Sequence, residues 1–276
     1  MNDFLLKYPV DENVVFEKLY VIWQKIIKNK ASSRNPKAYI LGGQPGAGKS
    51  VMINEIFKND LNKNALVISG DDYRRYHPKY LSIQEQEGLL SAKYTQAFSS
   101  KITEMLIQKA SDEKYNLIIE GTFRTASTPL KTLDILKLKG YETHIAIMAT
   151  PARISRSSCL ERYKKQFLVE PEIARFTDPS DHDIVLENIA KNVNEVFLSG
   201  KTDFIGLYTR DEILHSNIKF DSKNAIEIAK HICEDLTKNL DLELYIKMKD
   251  IIAFNESKEL KELGKARLSK NNDLER

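Results

Sequence analysis

A glycine-rich segment between two apolar runs constrains the fold of this chain more than any other feature. Residues 43–50 read GQPGAGKS and fit the pattern G-x-x-x-x-G-K-[ST], in which glycines let successive backbone N–H groups point at an anion. The preceding apolar run, 38–41, predicts a buried strand, and residues 51–57 predict a helix. The loop would therefore lie at a helix N-terminus, where the helix dipole favours a phosphate.

Two side chains at the end of this phosphate loop predict a bound nucleoside triphosphate with its metal. Lys49 supplies a positive charge for the β- and γ-phosphates, and the Ser50 hydroxyl is a ligand for Mg²⁺. The residues predicted to bind the nucleotide are Gly43, Gln44, Pro45, Gly46, Ala47, Gly48, Lys49 and Ser50.

Strand-like and helix-like segments alternate along the chain, which favours an α/β fold with a mostly parallel sheet. The strand-like runs lack clean alternation, as expected for strands that are covered on both faces. The pattern predicts a three-layer fold similar to the P-loop kinases, with a helical lid and C-terminal helices. Predicted strands lie at 38–41, 65–68, 116–119, 144–148 and 204–208, with a short edge strand at 217–220, and predicted helices lie at 83–113, 129–139, 151–168, 183–199, 223–238 and 240–253.

The domain organisation follows from the same pattern. We expect a single domain over residues 1–240, with an amphipathic helix at 13–30 and a lid over about 151–182. The apolar face of the first helix either packs on the core or meets a partner protein. Residues 241–276 are predicted to form a C-terminal helical extension with a charge-rich, solvated tail.

Composition narrows the class of partner and the compartment. The 276 residues include 42 basic and 39 acidic side chains, and a formal net charge of +3 gives no reason to expect nucleic acid as a partner. No apolar run approaches the roughly 18 residues that span a bilayer, and the N-terminus does not resemble a signal peptide. The two cysteines, Cys159 and Cys233, lack the spacing of a zinc site. We therefore expect a cytoplasmic protein with reduced cysteines and no membrane partner.

Acidic residues follow the second and third predicted strands, where an open parallel sheet gathers its ligands. Asp71 comes close after the strand at 65–68 and is the candidate base that accepts a proton from a substrate hydroxyl. Asp72 is either part of this site or the cap of a short helix. Glu120 ends the run at 116–119 and could hold Mg²⁺ through water, bind a substrate hydroxyl, or serve a structural role.

Arginines beyond the later strands supply candidate phosphate contacts. Arg124 could grip a phosphate or carboxylate with two hydrogen bonds, or form a surface ion pair. Arg162 and Arg175 lie in a basic stretch that could form a mobile lid over the phosphates, although a solvated basic face is the default for any one arginine. Residues 181–183, Asp-His-Asp, are interpreted as the start of a helix and not as a metal site.

The order and spacing of these elements resemble the zeta-toxin family. The resemblance rests on residues 42–50, 70–74 with His77 and Pro78, and 118–125, and continues through residues 139–143, Glu161-Arg162-Tyr163, Ala174-Arg175 and 182–185. It covers roughly residues 36–210. The chain departs from the family at Ser69, where an acid of an Asp-x-Asp element is usual.

The resemblance implies a kinase that transfers the γ-phosphate of ATP to the 3′-hydroxyl of the amino sugar of UDP-N-acetylglucosamine, and a toxin that a small helical antitoxin blocks by occluding the nucleotide site. It implies catalytic roles for Lys49, Asp71, Arg162 and Arg175, with Asp71 as the base. A small-molecule kinase with another acceptor, such as an antibiotic or a nucleotide, and a nucleotide-dependent switch or ATPase remain open alternatives. The implied substrate contacts are Glu104, Glu120, Thr122, Arg124 and Thr132.

Overall fold

A six-stranded sheet forms the centre of the computed structural model, which describes residues 7–171 and 174–240. The strands are β1 Lys37–Gly42, β2 Leu66–Ile68, β3 Leu117–Glu120, β4 Glu142–Met148, β5 Phe204–Tyr208 and β6 Ile213–Lys219. Their order across the sheet is β2-β3-β1-β4-β5-β6, and every neighbouring pair is parallel except β5 and β6. The prediction of a mostly parallel α/β sheet is confirmed.

Helices cover both faces of the sheet. The helices are α1 Glu12–Ile26, α2 Lys49–Ile56, α3 Gly70–Tyr73, α4 Tyr80–Glu87, α5 Ser91–Tyr94, α6 Gln96–Asp112, α7 Ser127–Leu138, α8 Ala152–Val169, α9 Pro179–Leu198 and α10 Ala225–Leu240.

The central strand explains the three layers. Ala38 and Ile40 of β1 point into one core, together with apolar residues of α1, α6, α7, α9 and α10. Tyr39 and Leu41 point into a second core, which α2 covers. Because successive side chains of a strand alternate between faces, a strand that is apolar throughout needs helices on both sides.

The long helix predicted over 83–113 is wrong as a single element. α4 ends at Glu87, and Gly88 then adopts a positive φ of 53°, which a helix cannot contain. A turn of 3₁₀ helix and the short α5 follow before α6 begins at Gln96. The break has a local consequence, because it leaves the Thr95 hydroxyl at 3.2 Å from Nη1 of Arg74.

The first helix is shorter than predicted and only partly covered. α1 spans Glu12–Ile26 instead of 13–30, because the chain turns at Asn29, which has a φ of 61°. Trp23 is buried, but Phe16 and Tyr20 of the predicted apolar face are 55% and 65% exposed. Only part of that face therefore packs on the core.

The C-terminal part confirms one predicted helix, α10, which packs against α9. The second predicted helix, 240–253, and the predicted extension 241–276 lie outside the described residues. β6 is longer than the predicted run 217–220 and pairs antiparallel with β5. None of the described helices is long and apolar enough to cross a bilayer.

Candidate functional site

The phosphate loop joins the carboxyl end of β1 to the first turn of α2, as the sequence predicts. Gly48 is the residue before α2 and has a φ of 100°, and Gly46 has a φ of 75°. A Cβ added to Gly46 would lie 2.1 Å from the carbonyl oxygen of Ser155 in α8, so no larger residue fits there. The loop is thus a tight curve at a helix N-terminus with α8 packed against it, a cradle that suits a phosphate.

Lys49 folds back over this loop. Its Nζ donates hydrogen bonds to the carbonyl oxygens of Gly43, at 2.9 Å, and Gln44, at 3.3 Å. Burial lowers the pKa of the Lys49 ammonium, against the opposing charges of Glu120 and Asp71. Ser50 is exposed in the first turn of α2. Both side chains lie where the loop meets the first turn of α2, and their roles toward a phosphate and its metal stay predictions.

Asp71 lies in the first turn of α3, directly beyond β2, and its side chain is 50% exposed. One carboxylate oxygen accepts a hydrogen bond from Nε of Arg74 at 3.1 Å, and the other pairs with Nη1 of Arg175 at 3.1 Å. Desolvation alone would raise the pKa of Asp71, but Arg175, Arg74 and Lys49 together lower it to about 2. The carboxylate is therefore ionised and aimed at a cationic site.

Glu120 is the last residue of β3 and pairs in register with Leu41 of β1, next to the loop. Burial raises the pKa of Glu120, the charge of Lys49 lowers it, and Asp72 and Asp71 raise it further. Glu120 and Asp71 thus form an acidic pair that faces the loop from two neighbouring strand ends. Both positions were predicted from the sequence, because ligands of an open parallel sheet gather beyond the carboxyl ends of its strands.

Arg162 of α8 and Arg175 of the segment after it approach Asp71 and Glu120. Nη2 of Arg162 donates to the Thr177 hydroxyl at 3.0 Å, and Nε of Arg162 is buried with no hydrogen-bond partner among the described residues. Burial lowers the pKa of Arg162, and the neighbouring charge of Arg175 lowers it further, whereas Asp71 and Glu120 raise it. Two close cations, one of which has a buried Nε–H without a partner among the described residues, fit an anion such as a phosphoryl group.

The remaining predicted substrate contacts lie on α6, on α7 and on the segment that follows β3. Arg124 pairs with Asp181 of α9 at 3.0 Å, and its backbone N–H lies 3.4 Å from the Thr122 hydroxyl. Thr132 is in α7 and donates to the carbonyl oxygen of Thr128 at 3.1 Å. Glu104 is exposed on α6, which passes beside α3. Their roles in substrate binding stay predictions.

A buried polar chain behind the loop was not predicted. Nε2 of Gln44 donates to the Thr150 carbonyl oxygen at 2.6 Å and lies 3.1 Å from the Ser155 hydroxyl, which in turn lies 2.8 Å from Nε2 of His182. Nδ1 of His182 lies 3.4 Å from a carboxylate oxygen of Asp183. The same oxygen forms an ion pair with Nη2 of the buried Arg156. This chain ties the loop to α8 and α9.

The interpretation of residues 181–183 as the cap of a helix is wrong, because α9 begins at Pro179 and these residues lie inside its first turns. Asp178 caps α9 by accepting a hydrogen bond from the backbone N–H of Ser180 at 3.0 Å, and Pro179 occupies the first position of the helix. The side chains of His182 and Asp183 take part in the buried polar chain instead. The same correction applies to Asp72, since Ser69 stands before α3.

Sequence reasoning also missed the role of Arg74, which follows directly after α3, begins a 3₁₀ turn and pairs with Asp71 three residues before it. The i, i+3 spacing of an acid and an arginine was a readable signal for this pair. Within residues 7–171 and 174–240, no group of three or more His, Cys, Asp or Glu could hold a metal ion. The binding of Mg²⁺ by the Ser50 hydroxyl stays a prediction.

The zeta-toxin family model matches residues 23–219, which contain every element of this site. The chain belongs to the zeta-toxin family. It is 36% identical to toxin PezT of Streptococcus pneumoniae over 213 residues, which is 77% of this chain and 82% of the relative. It is 34% identical to toxin zeta of Streptococcus pyogenes over 197 residues, 71% of this chain and 68% of that one.

A solved zeta-family structure shows the same fold. The chain aligns with a structure from a study of the PezAT chromosomal toxin–antitoxin system of S. pneumoniae, with a TM-score of 0.68 and 28% identity. The alignment covers 84% of this chain and 98% of the solved one. The resemblance seen in the sequence is thereby confirmed, and a zeta-family fold with this loop supports a nucleotide-binding phosphotransferase.

Proposed function

We propose that this zeta-family protein is an ATP-dependent kinase that phosphorylates the 3′-hydroxyl of the amino sugar of UDP-N-acetylglucosamine. The observation that carries the proposal is the Asp71 carboxylate, held between Arg74 and Arg175 beside Lys49 of the phosphate loop. A carboxylate beside an anion cradle is what a hydroxyl acceptor requires, whereas a nucleotide switch requires a group that positions water.

The residues divide the reaction between them. Asp71 accepts the proton of the attacking hydroxyl while that oxygen bonds to the γ-phosphorus and the bond to the ADP oxygen breaks, which leaves a phosphorylated sugar and ADP. Arg162 and Arg175 stabilise the charge on the phosphoryl oxygens, and Lys49 binds the β- and γ-phosphates. Mg²⁺, when bound at Ser50, would supply further charge neutralisation.

The acceptor would lie on the side of α6, β3 and α7. Glu104 and Glu120 would accept hydrogen bonds from sugar hydroxyls, and Thr122, Arg124 and Thr132 would bind the remaining polar groups of the sugar nucleotide. The ion pair of Arg124 with Asp181 is half exposed, so this guanidinium can exchange its partner at little cost.

Phosphate transfer to UDP-N-acetylglucosamine tests the proposal directly. The purified protein is incubated with ATP, Mg²⁺ and the sugar nucleotide, and we expect a product heavier by one phosphate in mass spectrometry, placed at the 3′-oxygen by NMR. UDP-glucose, which lacks the acetamido group, and nucleoside monophosphates serve as matched acceptors. A folded, nucleotide-binding protein that phosphorylates one of these instead would contradict the proposed acceptor.

The proposed cellular role is that of a cytoplasmic toxin whose product interferes with cell-wall synthesis. The relatives are named toxins, and the similar solved structure comes from a toxin–antitoxin system. A small helical antitoxin would occlude the phosphate loop. Such an antitoxin should compete with ATP in a titration, and simultaneous binding of both would contradict occlusion of the nucleotide site.

A further inference from the structure

Arg210 lies in the turn between β5 and β6 and packs against the outer side of the phosphate loop. Its Nη2 donates to the carbonyl oxygen of Gly46, and its Nε donates to the carbonyl oxygen of Ala47 at 3.2 Å. The Thr150 hydroxyl donates to the same Ala47 oxygen at 2.7 Å. The loop is therefore held from behind by a cation and a hydroxyl.

These contacts determine which way the loop amides point. A trans peptide is planar, so its C=O and N–H point in opposite directions. With the Ala47 oxygen drawn outward by Arg210, the N–H of Gly48 must point to the inner, phosphate-facing side. A Cβ on Gly48 would lie 3.3 Å from Nε of Arg210, so the Arg210 side chain also packs against the Cα of this residue.

Arg210 also joins the loop to the lid helix. Its Nη2 donates to the Ser158 hydroxyl of α8 at 2.8 Å, one turn before Arg162 on the same helix. One side chain thus connects the β5–β6 turn, the phosphate loop and the helix that carries a phosphoryl-binding arginine.

We propose that Arg210 is a positioning residue for the nucleotide, acting through the phosphate loop. It orients the Gly48 amide, its positive charge strengthens the loop's attraction for phosphate, and its bond to Ser158 sets the distance between the loop and α8. This inference rests on the part of the proposed function in which the loop binds a nucleotide. It does not depend on the identity of the acceptor.

The nucleotide dissociation constant separates this role from a structural one. Arg210→Ala should weaken binding of Mg²⁺ and a non-hydrolysable ATP analogue, measured by calorimetry without acceptor, by about tenfold or more, as expected for lost charge-assisted hydrogen bonds. Arg210→Lys should recover part of the affinity, because an ammonium keeps the charge but lacks the fork that reaches two carbonyls. The KM for the acceptor should stay unchanged.

Two variants control for charge and for the lid contact. Lys219→Ala removes one charge from an exposed residue at the far end of β6 and should leave the dissociation constant as in wild type. Ser158→Ala removes the contact of Arg210 with α8, together with one bond of the Ser158 hydroxyl to the Ile154 carbonyl oxygen within that helix, and should lower kcat more than nucleotide affinity. An Arg210→Ala protein that binds the analogue as tightly as Lys219→Ala overturns the proposal.

If Arg210→Ala does not fold, the affinity of Arg210→Lys for the ATP analogue is the test. A dissociation constant equal to that of the wild type in this variant overturns the proposal. A wild-type protein that binds the analogue but phosphorylates no sugar nucleotide contradicts the proposed acceptor and leaves Arg210 testable. A wild-type protein that binds no nucleotide overturns both.

Discussion

Asp71 is ionised in this structure but is a weak proton acceptor, because two arginines hold its carboxylate and lower its pKa to about 2. The charge of Arg175 lowers this pKa, and Arg74 lowers it through both its charge and its hydrogen bond. If Arg175 turns to the phosphoryl group when nucleotide binds, its hold on the carboxylate weakens and the pKa of Asp71 rises. The base would then become effective only when the phosphate to be transferred is present.

Replacing Asp71 with asparagine should separate transfer from binding. Asp71→Asn keeps the size of the side chain but removes the proton acceptor, so kcat should fall by about 10²–10⁴, the usual contribution of a general base. The dissociation constant of an ATP analogue should change little. Asp72→Asn, an exposed neighbour in the same turn, is the matched control and should keep most of its activity. Comparable kcat values for the two variants would exclude Asp71 as the base.

The acid limb of the pH profile of kcat/KM should reflect the titration of Glu120 and not that of Asp71. Burial raises the pKa of Glu120, whereas Asp71 stays charged down to about pH 2. As the pH falls through the pKa of Glu120, this carboxylate becomes neutral and loses its charge-assisted hydrogen bonds with the acceptor. The acid limb of kcat/KM should therefore have its midpoint above the ordinary glutamate value of about 4.3.

Glu120→Gln tests this assignment, because an amide does not titrate. The kcat/KM of this variant should be lower than that of the wild type at all pH values, and its pH profile should lack the acid limb. A limb that keeps its midpoint in Glu120→Gln would assign the titration to another group.

At the scale of elements, the loop and α8 form one packed unit. Gly46 has no room for a Cβ against Ser155 of α8, and the buried chain from Gln44 through Ser155 to His182 fixes the same contact by hydrogen bonds. α8 in turn carries Arg162. The position of Arg162 thus depends on a glycine in the loop.

Two glycine substitutions separate backbone strain from this contact. Gly46 and Gly140 have nearly the same positive φ, 75° and 73°, but nothing lies within 4 Å of a Cβ at Gly140. Gly140→Ala should cost only the conformational strain, about 1–2 kcal/mol of unfolding free energy. Gly46→Ala should cost more in urea denaturation and should also weaken nucleotide binding, because α8 must move away. Equal losses, with nucleotide affinity intact in both, would contradict the packed unit.

Local patterns predicted the elements but not the contacts between them. The apolar run 38–41 gave β1 to within one residue at each end, because a strand buried on both faces is apolar throughout. The helix expected over 83–113 failed because its apolar periodicity continues past Gly88, where the backbone turns.

For the candidate site, too, the sequence predicted the positions of residues but not the contacts between them. The strand-end rule placed Asp71 and Glu120, because it depends only on sheet topology. The bonds of Gln44 to Ser155 and of Arg210 to Gly46 join residues more than a hundred positions apart, and no local pattern records them.

At the scale of the molecule, the site exists only when the sheet is assembled. Its groups come from the ends of β1 and β3, from α3 beyond β2, and from α8 and the segment after it. A ligand that bridges these groups binds the folded chain and not the unfolded one. Nucleotide binding should therefore stabilise the whole fold by mass action.

Thermal unfolding measures this linkage without any acceptor. At a concentration of 100 times its dissociation constant, an ATP analogue with Mg²⁺ should add about 2.7 kcal/mol to the unfolding free energy, which for a domain of this size raises Tm by roughly 5–11 °C. Lys49→Ala should abolish the shift, because it removes the phosphate-binding charge and the contacts of Nζ with Gly43 and Gln44. Asp71→Asn should retain it, since the base does not hold the nucleotide. A saturating analogue that leaves the wild-type Tm unchanged would show that the loop does not bind nucleotide, whereas an equal shift in Lys49→Ala would place the nucleotide elsewhere on the molecule.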